Sequence, residues 1–209
     1  MFARVLGIMA MFLLGSIANA QSVEAYLGHK RAGVDLMWFK NVKNAQEQRT
    51  PFLFFSRTRS STDYDNSPTA FGSTNAISYN FKNGLGLVVV GSFLNAGFTP
   101  KTGLQWVKMK DNFLFFGWLV ADLTEKGSIE TFGLFRYQPK INKKWKGFGQ
   151  AELFPVYNPT TKTWNLTQRL RLGAKHRAWA VGLMMDLNQT GRDRLTQTNN
   201  WGGFLRYDF

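Results

Sequence analysis

Read in steps of two, the chain sorts its side chains into unlike faces. In TWNLTQRLRLGA, Trp164, Leu166, Leu170 and Leu172 fall on one side, and Asn165, Thr167, Arg169 and Arg171 on the other. In AWAVGLMMDLN, Trp179, Val181, Leu183, Met185 and Leu187 oppose Ala178, Ala180, Gly182, Met184, Asp186 and Asn188. The last stretch, WGGFLRYDF, sets Trp201, Gly203, Leu205 and Tyr207 against Gly202, Phe204, Arg206 and Asp208, and ends on Phe209. A two-residue period is that of a β-strand with two different environments. Comparable segments lie near 33–42, 51–59, 75–83, 85–96, 103–110, 112–123, 127–138, 146–157, 163–174, 177–188 and 200–209, and VEAYLGH at 23–29 supplies a twelfth. The separators are rich in Gly, Asn, Asp, Pro, Ser and Lys, the chemistry of turns. Asn83-Gly84 is the strongest hairpin signal, a pair that tolerates the positive φ of a type I′ turn. No helical period of useful length follows residue 20. The prediction is all-β, with twelve antiparallel strands, or ten if two short ones merge.

The first twenty residues do not belong to this pattern. MFARVLGIMAMFLLGSIANA has one early positive charge, Arg4, an apolar run from Val5 to Leu14, and the small-residue stretch Ala18-Asn19-Ala20. That is the layout of a secretory signal peptide cleaved after Ala20, and the apolar run is shorter than the roughly 17 residues a spanning helix needs. One domain over 21–209 is expected to follow. The chain has no cysteine, so its stability must come from a core or from closure of the sheet, without disulfides or thiolate metal sites.

Alternation alone does not say which face meets water. A soluble sheet buries its apolar face, whereas a membrane barrel turns large apolar residues to lipid and polar ones to the lumen. The aromatic pattern favours the second arrangement. Trp38, Trp145, Trp164, Trp179, Trp201 and Phe209 are read as anchors at the membrane interfaces, where aromatic belts form. Closure of the sheet in lipid also leaves no unpaired edge. The leader, the alternating strands and the ending Trp201…Leu205-Arg206-Tyr207-Asp208-Phe209 resemble bacterial outer-membrane β-barrel proteins, and the whole is similar to barrels of Bacteroidota-type bacteria. The resemblance implies an outer-membrane location, a twelve-stranded transmembrane barrel, and a C-terminal strand read by the barrel-assembly machinery.

With the C-terminus placed in the periplasm, 58–75, 96–103, 123–128, 157–163 and 188–200 become external loops, and 83–84, 111–112 and 174–177 periplasmic turns. The segments 43–50 and 139–145 are long for that side. Lumen parity then collects the acids Asp35, Glu130, Glu152 and Asp186 and the bases Arg57, Arg59, Arg136, Arg169, Arg171 and Arg206. Across a narrow lumen these would pair, because an unpaired buried charge is costly. They either brace the wall or form a ring that favours anions in a pore. Two strands are apolar on both faces, with Phe113, Phe115 and Leu119 opposite Leu114, Phe116, Trp118 and Val120, and Val88, Val90 and Leu94 opposite Leu87, Val89 and Phe93. Part of the interior is therefore apolar: a packed wall or a place for a hydrophobic ligand.

The charge balance, 26 Lys+Arg against 13 Asp+Glu, would suggest nucleic acid in another compartment. For an exported protein the expected partners are outer-membrane lipid, lipopolysaccharide phosphates and small anionic solutes, with no nucleic acid. Lys101, Lys126, Lys162, Arg192 and Arg194 are the external bases read as facing lipopolysaccharide. Catalysis finds little support. The two histidines, His29 and His176, are assigned to opposite rims, and no G-x-S-x-G, H-E-x-x-H or phosphate-loop motif is present. The functional expectation is therefore a small porin-like channel without catalytic residues, cofactor or metal. The alternatives are a non-conducting structural or lipid-binding barrel and, behind that, a barrel enzyme acting on lipid or peptide.

Overall fold

The computed structural model describes residues 21–65, 69–125 and 127–209. The leader expected at 1–20 and Lys126 lie outside the described residues. Twelve strands follow one another: β1 (Ser22–Gly28), β2 (Arg31–Lys43), β3 (Arg49–Asp63), β4 (Ala70–Asn80), β5 (Leu85–Leu94), β6 (Gly97–Lys110), β7 (Phe113–Asp122), β8 (Ile129–Tyr137), β9 (Trp145–Asn158), β10 (Thr163–His176), β11 (Trp179–Gly191) and β12 (Leu195–Asp208). Each pairs antiparallel with the next, and β1 closes on β12 from Ser22↔Asp208 to Gly28↔Gly202. Closure satisfies the backbone of the first and last strands, which no open sheet does. Gln21 and Phe209 sit together at one end of the barrel, joined by the Phe209 N–H donating to the Gln21 carbonyl at 3.1 Å. We call this the terminal end and the opposite one the far end.

Several strands run longer than the apolar alternation indicated. The loops expected at 58–75, 96–103 and 188–200 are mostly ladder: β3 continues to Asp63, β6 begins at Gly97, and β11 and β12 approach to within three residues of each other. The extensions of β3, β11 and β12 carry mostly Ser, Thr, Gln and Asn on both faces, and that of β6 carries Thr99, Pro100 and Thr102, so they lack the apolar period. They pair all the same, as in Arg31↔Asp63 and Gln189↔Gln197. On the terminal end the long segment 43–50 tightens in the same way, while 139–145 stays a turn between β8 and β9 with a single bridge, Lys140↔Lys146. Asn44 caps its turn by accepting from the Gln46 and Gln48 N–H groups at 3.0 and 2.9 Å. Glu47 adopts the left-handed backbone there, φ 60°, and Lys43 holds its carboxyl below the ordinary carboxylate range. Asn142 caps the other turn through the Lys144 and Trp145 N–H groups, both at 2.9 Å.

The outer face is an apolar belt. Leu183 is 75% exposed, Leu153 59%, Leu87 58% and Val181 56%, and residues this apolar are left open only where something other than water covers them. Aromatic pairs edge the belt. Trp179 and Tyr207 lie 4.7 Å apart near the terminal end, and Tyr157–Trp164 and Phe93–Phe98, each also at 4.7 Å, lie near the far end. Trp145 begins β9 and packs on His176 at 4.8 Å. Two of the tryptophans expected near strand ends are not there. Trp38 is inside β2 and Trp201 is inside β12, because both strands extend beyond them. Trp106, which the pattern did not single out, faces outward near the terminal end and donates to the Asn83 carbonyl at 3.3 Å.

The interior is divided lengthwise. On the side formed by β2–β8, Phe39, Phe55, Phe116, Trp118, Phe132, Leu134 and their neighbours make one buried cluster. Phe39, Phe55 and Phe116 form a triangle with all centroid distances at 4.9 Å. Most of the charges lie on the side formed by β9–β12, β1 and the inner edges of β2 and β3, beside a smaller buried cluster of Tyr26, Phe148, Ala180, Met184 and Phe204.

Candidate functional site

Strand parity brings the charged groups inward, and their partners lie across the lumen. Arg57 on β3 donates to Asp35 on the adjacent β2 (3.0 Å to Oδ1, 2.5 Å to Oδ2) and reaches Glu152 on β9 (2.8 Å to Oε2, 3.1 Å to Oε1). Glu152 also accepts from Arg169 at 3.2 Å and from the Gln150 amide at 2.7 Å. One layer away, Asp186 accepts from Arg59 at 2.6 Å and from Arg171 at 2.7 Å, and Arg171 donates to Glu24 at 2.8 Å. The Tyr26 ring lies under the Arg59 guanidinium at 4.6 Å and accepts its Nε–H through the hydroxyl at 3.2 Å. Toward the terminal end, Arg206 donates to Asp208 at 2.7 Å, and Arg136 donates to Gln150 at 2.7 Å. Lys175 pairs with Asp208.

All ten charged side chains assigned to the lumen lie on the inner face. Arg57, Arg59, Asp35, Glu152, Asp186, Arg169 and Arg171 form one continuous network. Arg136 and Arg206 meet on Gln150. Glu130 stands apart, inside the apolar half, where it accepts from the Trp118 indole at 3.1 Å and pairs with Lys101. This corrects the placement of Lys101 as an external base: it is buried inside the wall, because the expected loop 96–103 is strand and inward parity falls on this residue. Sequence reasoning missed Glu24, Tyr26, Gln105, Lys175 and Asn200 as interior groups. Glu24 and Tyr26 share the parity of a strand recognised only weakly, and Asn200 fell in the presumed loop 188–200. Asn200 caps the β1–β2 turn, accepting from the Lys30 and Arg31 N–H groups at 3.0 and 3.2 Å.

The network separates two cavities. At the far end a cavity of about 260 Å³ is lined by Arg31, Arg59, Arg169, Asp186 and Tyr26 among others. At the terminal end a cavity of about 420 Å³ is lined by Lys110, Asp111, Arg136, Lys175 and Asp208. Apart from the Lys101–Glu130 pair, seven of the inward-facing basic side chains (Arg57, Arg59, Arg136, Arg169, Arg171, Lys175 and Arg206) meet five carboxylates (Glu24, Asp35, Glu152, Asp186 and Asp208). Positive charge is thus in excess where water is scarce, the setting in which a fixed charge acts most strongly on a passing ion.

His29 accepts from the Trp201 N–H at 2.9 Å at the far end, and His176 packs on Trp145 at the terminal end. The two are not brought together. Among the described residues no group of three or more His, Cys, Asp or Glu is placed to hold a metal.

No protein-family model matches the chain, and no curated protein matches it. Solved structures do. The NanC porin superposes with a TM-score of 0.52 at 14% identity, over 91% of this chain and 100% of that one. The KdgM porin, solved in complex with disordered oligogalacturonate, superposes with a TM-score of 0.50 at 13% identity, over 91% of this chain and 99% of that one. What the likeness shows is the fold: the closed, antiparallel, twelve-stranded barrel of this chain superposes on those two structures.

Proposed function

We propose that this barrel is a small porin-like channel of the outer membrane that passes small solutes and prefers anions. The observation that carries this reading is the surplus of bases over carboxylates inside the closed wall, with Arg59 and Arg169 at one cavity and Arg136 and Lys175 at the other. An anion entering either mouth meets guanidinium or ammonium groups and then a relay of exchangeable ion pairs. Unlike a single tight site, such a relay lets the solute leave again. The fold shared with two porins supports the reading, and the oligogalacturonate in the KdgM structure is itself a polyanion. No residue is assigned a catalytic role: the two histidines stand at opposite ends, His29 on the Trp201 N–H and His176 against Trp145 in a cluster of Lys143, Lys144, Lys146, Lys175 and Arg177.

The test is conductance of residues 21–209, refolded in detergent and added to a planar bilayer under a salt gradient. Discrete steps with a reversal potential on the anion side are expected, and Arg169→Gln should move that potential toward zero. Insertion without steps would remove the channel reading and leave the second one, a non-conducting barrel. The filled apolar half of the interior favours that alternative. Lys162, Arg192 and Arg194 at the far end would then be the groups that meet lipopolysaccharide phosphates.

A further inference from the structure

Beneath the far-end cavity lies a second, smaller one of about 120 Å³. The two share Arg59, Gly72 and Arg169 in their walls, so they are neighbouring compartments of one site. The walls differ in kind. The upper compartment is polar, while the lower is closed by Phe55, Trp118, Phe132 and Phe154. Their rings pack edge to face and tilted, with Trp118–Phe132 at 5.1 Å and Phe132–Phe154 at 6.0 Å.

The guanidinium groups at the junction are not saturated. Arg57 donates to two carboxylates with three of its nitrogens. Arg169, by contrast, makes a single hydrogen bond, to Glu152. The Nη1 of Arg59 is buried without a hydrogen-bond partner and stands 3.6 Å from Asp35. A dry N–H without an acceptor, as at Arg59 Nη1, is costly, and an anion that supplies the acceptor recovers that cost.

We propose that the far mouth binds a small amphipathic organic anion, with its carboxylate on Arg59 and Arg169 and its apolar ring or short chain in the aromatic chamber. The volumes agree with this: an apolar cavity of roughly 150 Å³ takes a benzene ring. An inorganic anion gains nothing from the four rings, and a neutral arene leaves the guanidinium groups as they were. A sugar acid fits less well, because its ring hydroxyls would lose water against phenylalanine. The polar side chain left for them, Thr74, already shares a hydrogen bond with Ser92 at 3.3 Å. The class indicated is an arylcarboxylate or a short fatty acid. The assignment rests on the channel reading in one respect, that the far mouth opens to solvent.

The experiment is titration calorimetry of residues 21–209 in detergent with 3-phenylpropanoate, acetate and benzyl alcohol. On burial of the ring, 3-phenylpropanoate should bind on the order of tenfold more tightly than acetate. Arg169→Gln should weaken it by about the same factor and leave benzyl alcohol unchanged. Thr74→Leu, which fills the chamber, should bring the advantage over acetate down to within about threefold. Partitioning into micelles cancels between wild type and variant. Equal affinities for 3-phenylpropanoate and acetate in the wild type would overturn the proposal, whatever the variants do. Anion-selective conductance without that preference would sink this site and leave the channel standing. The preference without conductance would uphold the site and sink the channel.

Discussion

Glu152 is the residue on which the charged side of the lumen turns. It accepts from Arg57 at 2.8 Å, from Arg169 at 3.2 Å and from Gln150 at 2.7 Å, and it is 3% exposed. Replacing it with Gln leaves two guanidinium groups facing each other in a dry interior. Loss of one member of a buried pair costs about 3–5 kcal/mol. We expect Glu152→Gln to lower the urea midpoint of the folded, fast-migrating gel band, and the double variant Glu152→Leu, Arg57→Leu to recover most of the loss. A single variant as stable as the wild type would mean that the network contributes nothing. The two-residue period indicated the face on which these charges lie. It could not show their partners, because Arg57 and Glu152 are 95 positions apart and meet across the lumen. Lys101 was misread for a different reason: Thr99 and Pro100 beside it look like turn chemistry, and the ladder overrides them.

At the scale of elements, a strand persists wherever its neighbour offers a ladder, whether or not its side chains alternate in polarity. This is why the sequence placed twelve strands but stopped β3, β6, β11 and β12 short. The pairing of β10 with β11 shows how little slack the ladder has. Gly173 and Gly182 face each other. A Cβ on Gly182 would stand 2.1 Å from the Leu172 carbonyl oxygen and 2.5 Å from the Gly173 Cα, backbone atoms that no rotamer can move aside. Gly182→Val should therefore destabilise the barrel by about 2 kcal/mol, read as a lower temperature for conversion to the slow-migrating gel form. Gly133→Val, at a position with open space around its Cβ, is the control. Equal losses in both would show that the close approach is not what matters.

For the whole molecule, the even strand number puts Gln21 and Phe209 on one side, and the proposed outer-membrane reading makes that side periplasmic. Trypsin added to intact cells should then cut at Arg192 or Arg194, in the β11–β12 turn where the Arg192 side chain is 57% exposed. It should spare Arg177, in the β10–β11 turn, until the outer membrane is opened. Cleavage at Arg177 alone in intact cells would invert the orientation, and with it the identity of the mouth that holds Arg59 and Arg169.

The lengthwise division of the interior has one more consequence. Rings from β2–β8 fill much of the cross-section, and a smaller cluster of Tyr26, Phe148, Ala180, Met184 and Phe204 takes part of the arc beside β9–β12 and β1, so the open space follows the ion pairs. On the proposed channel reading the conduit would be a slit rather than a tube, measuring a solute by girth and indifferent to its length. An unbranched chain would thread it, while a compact molecule of the same mass would be turned away at the mouth.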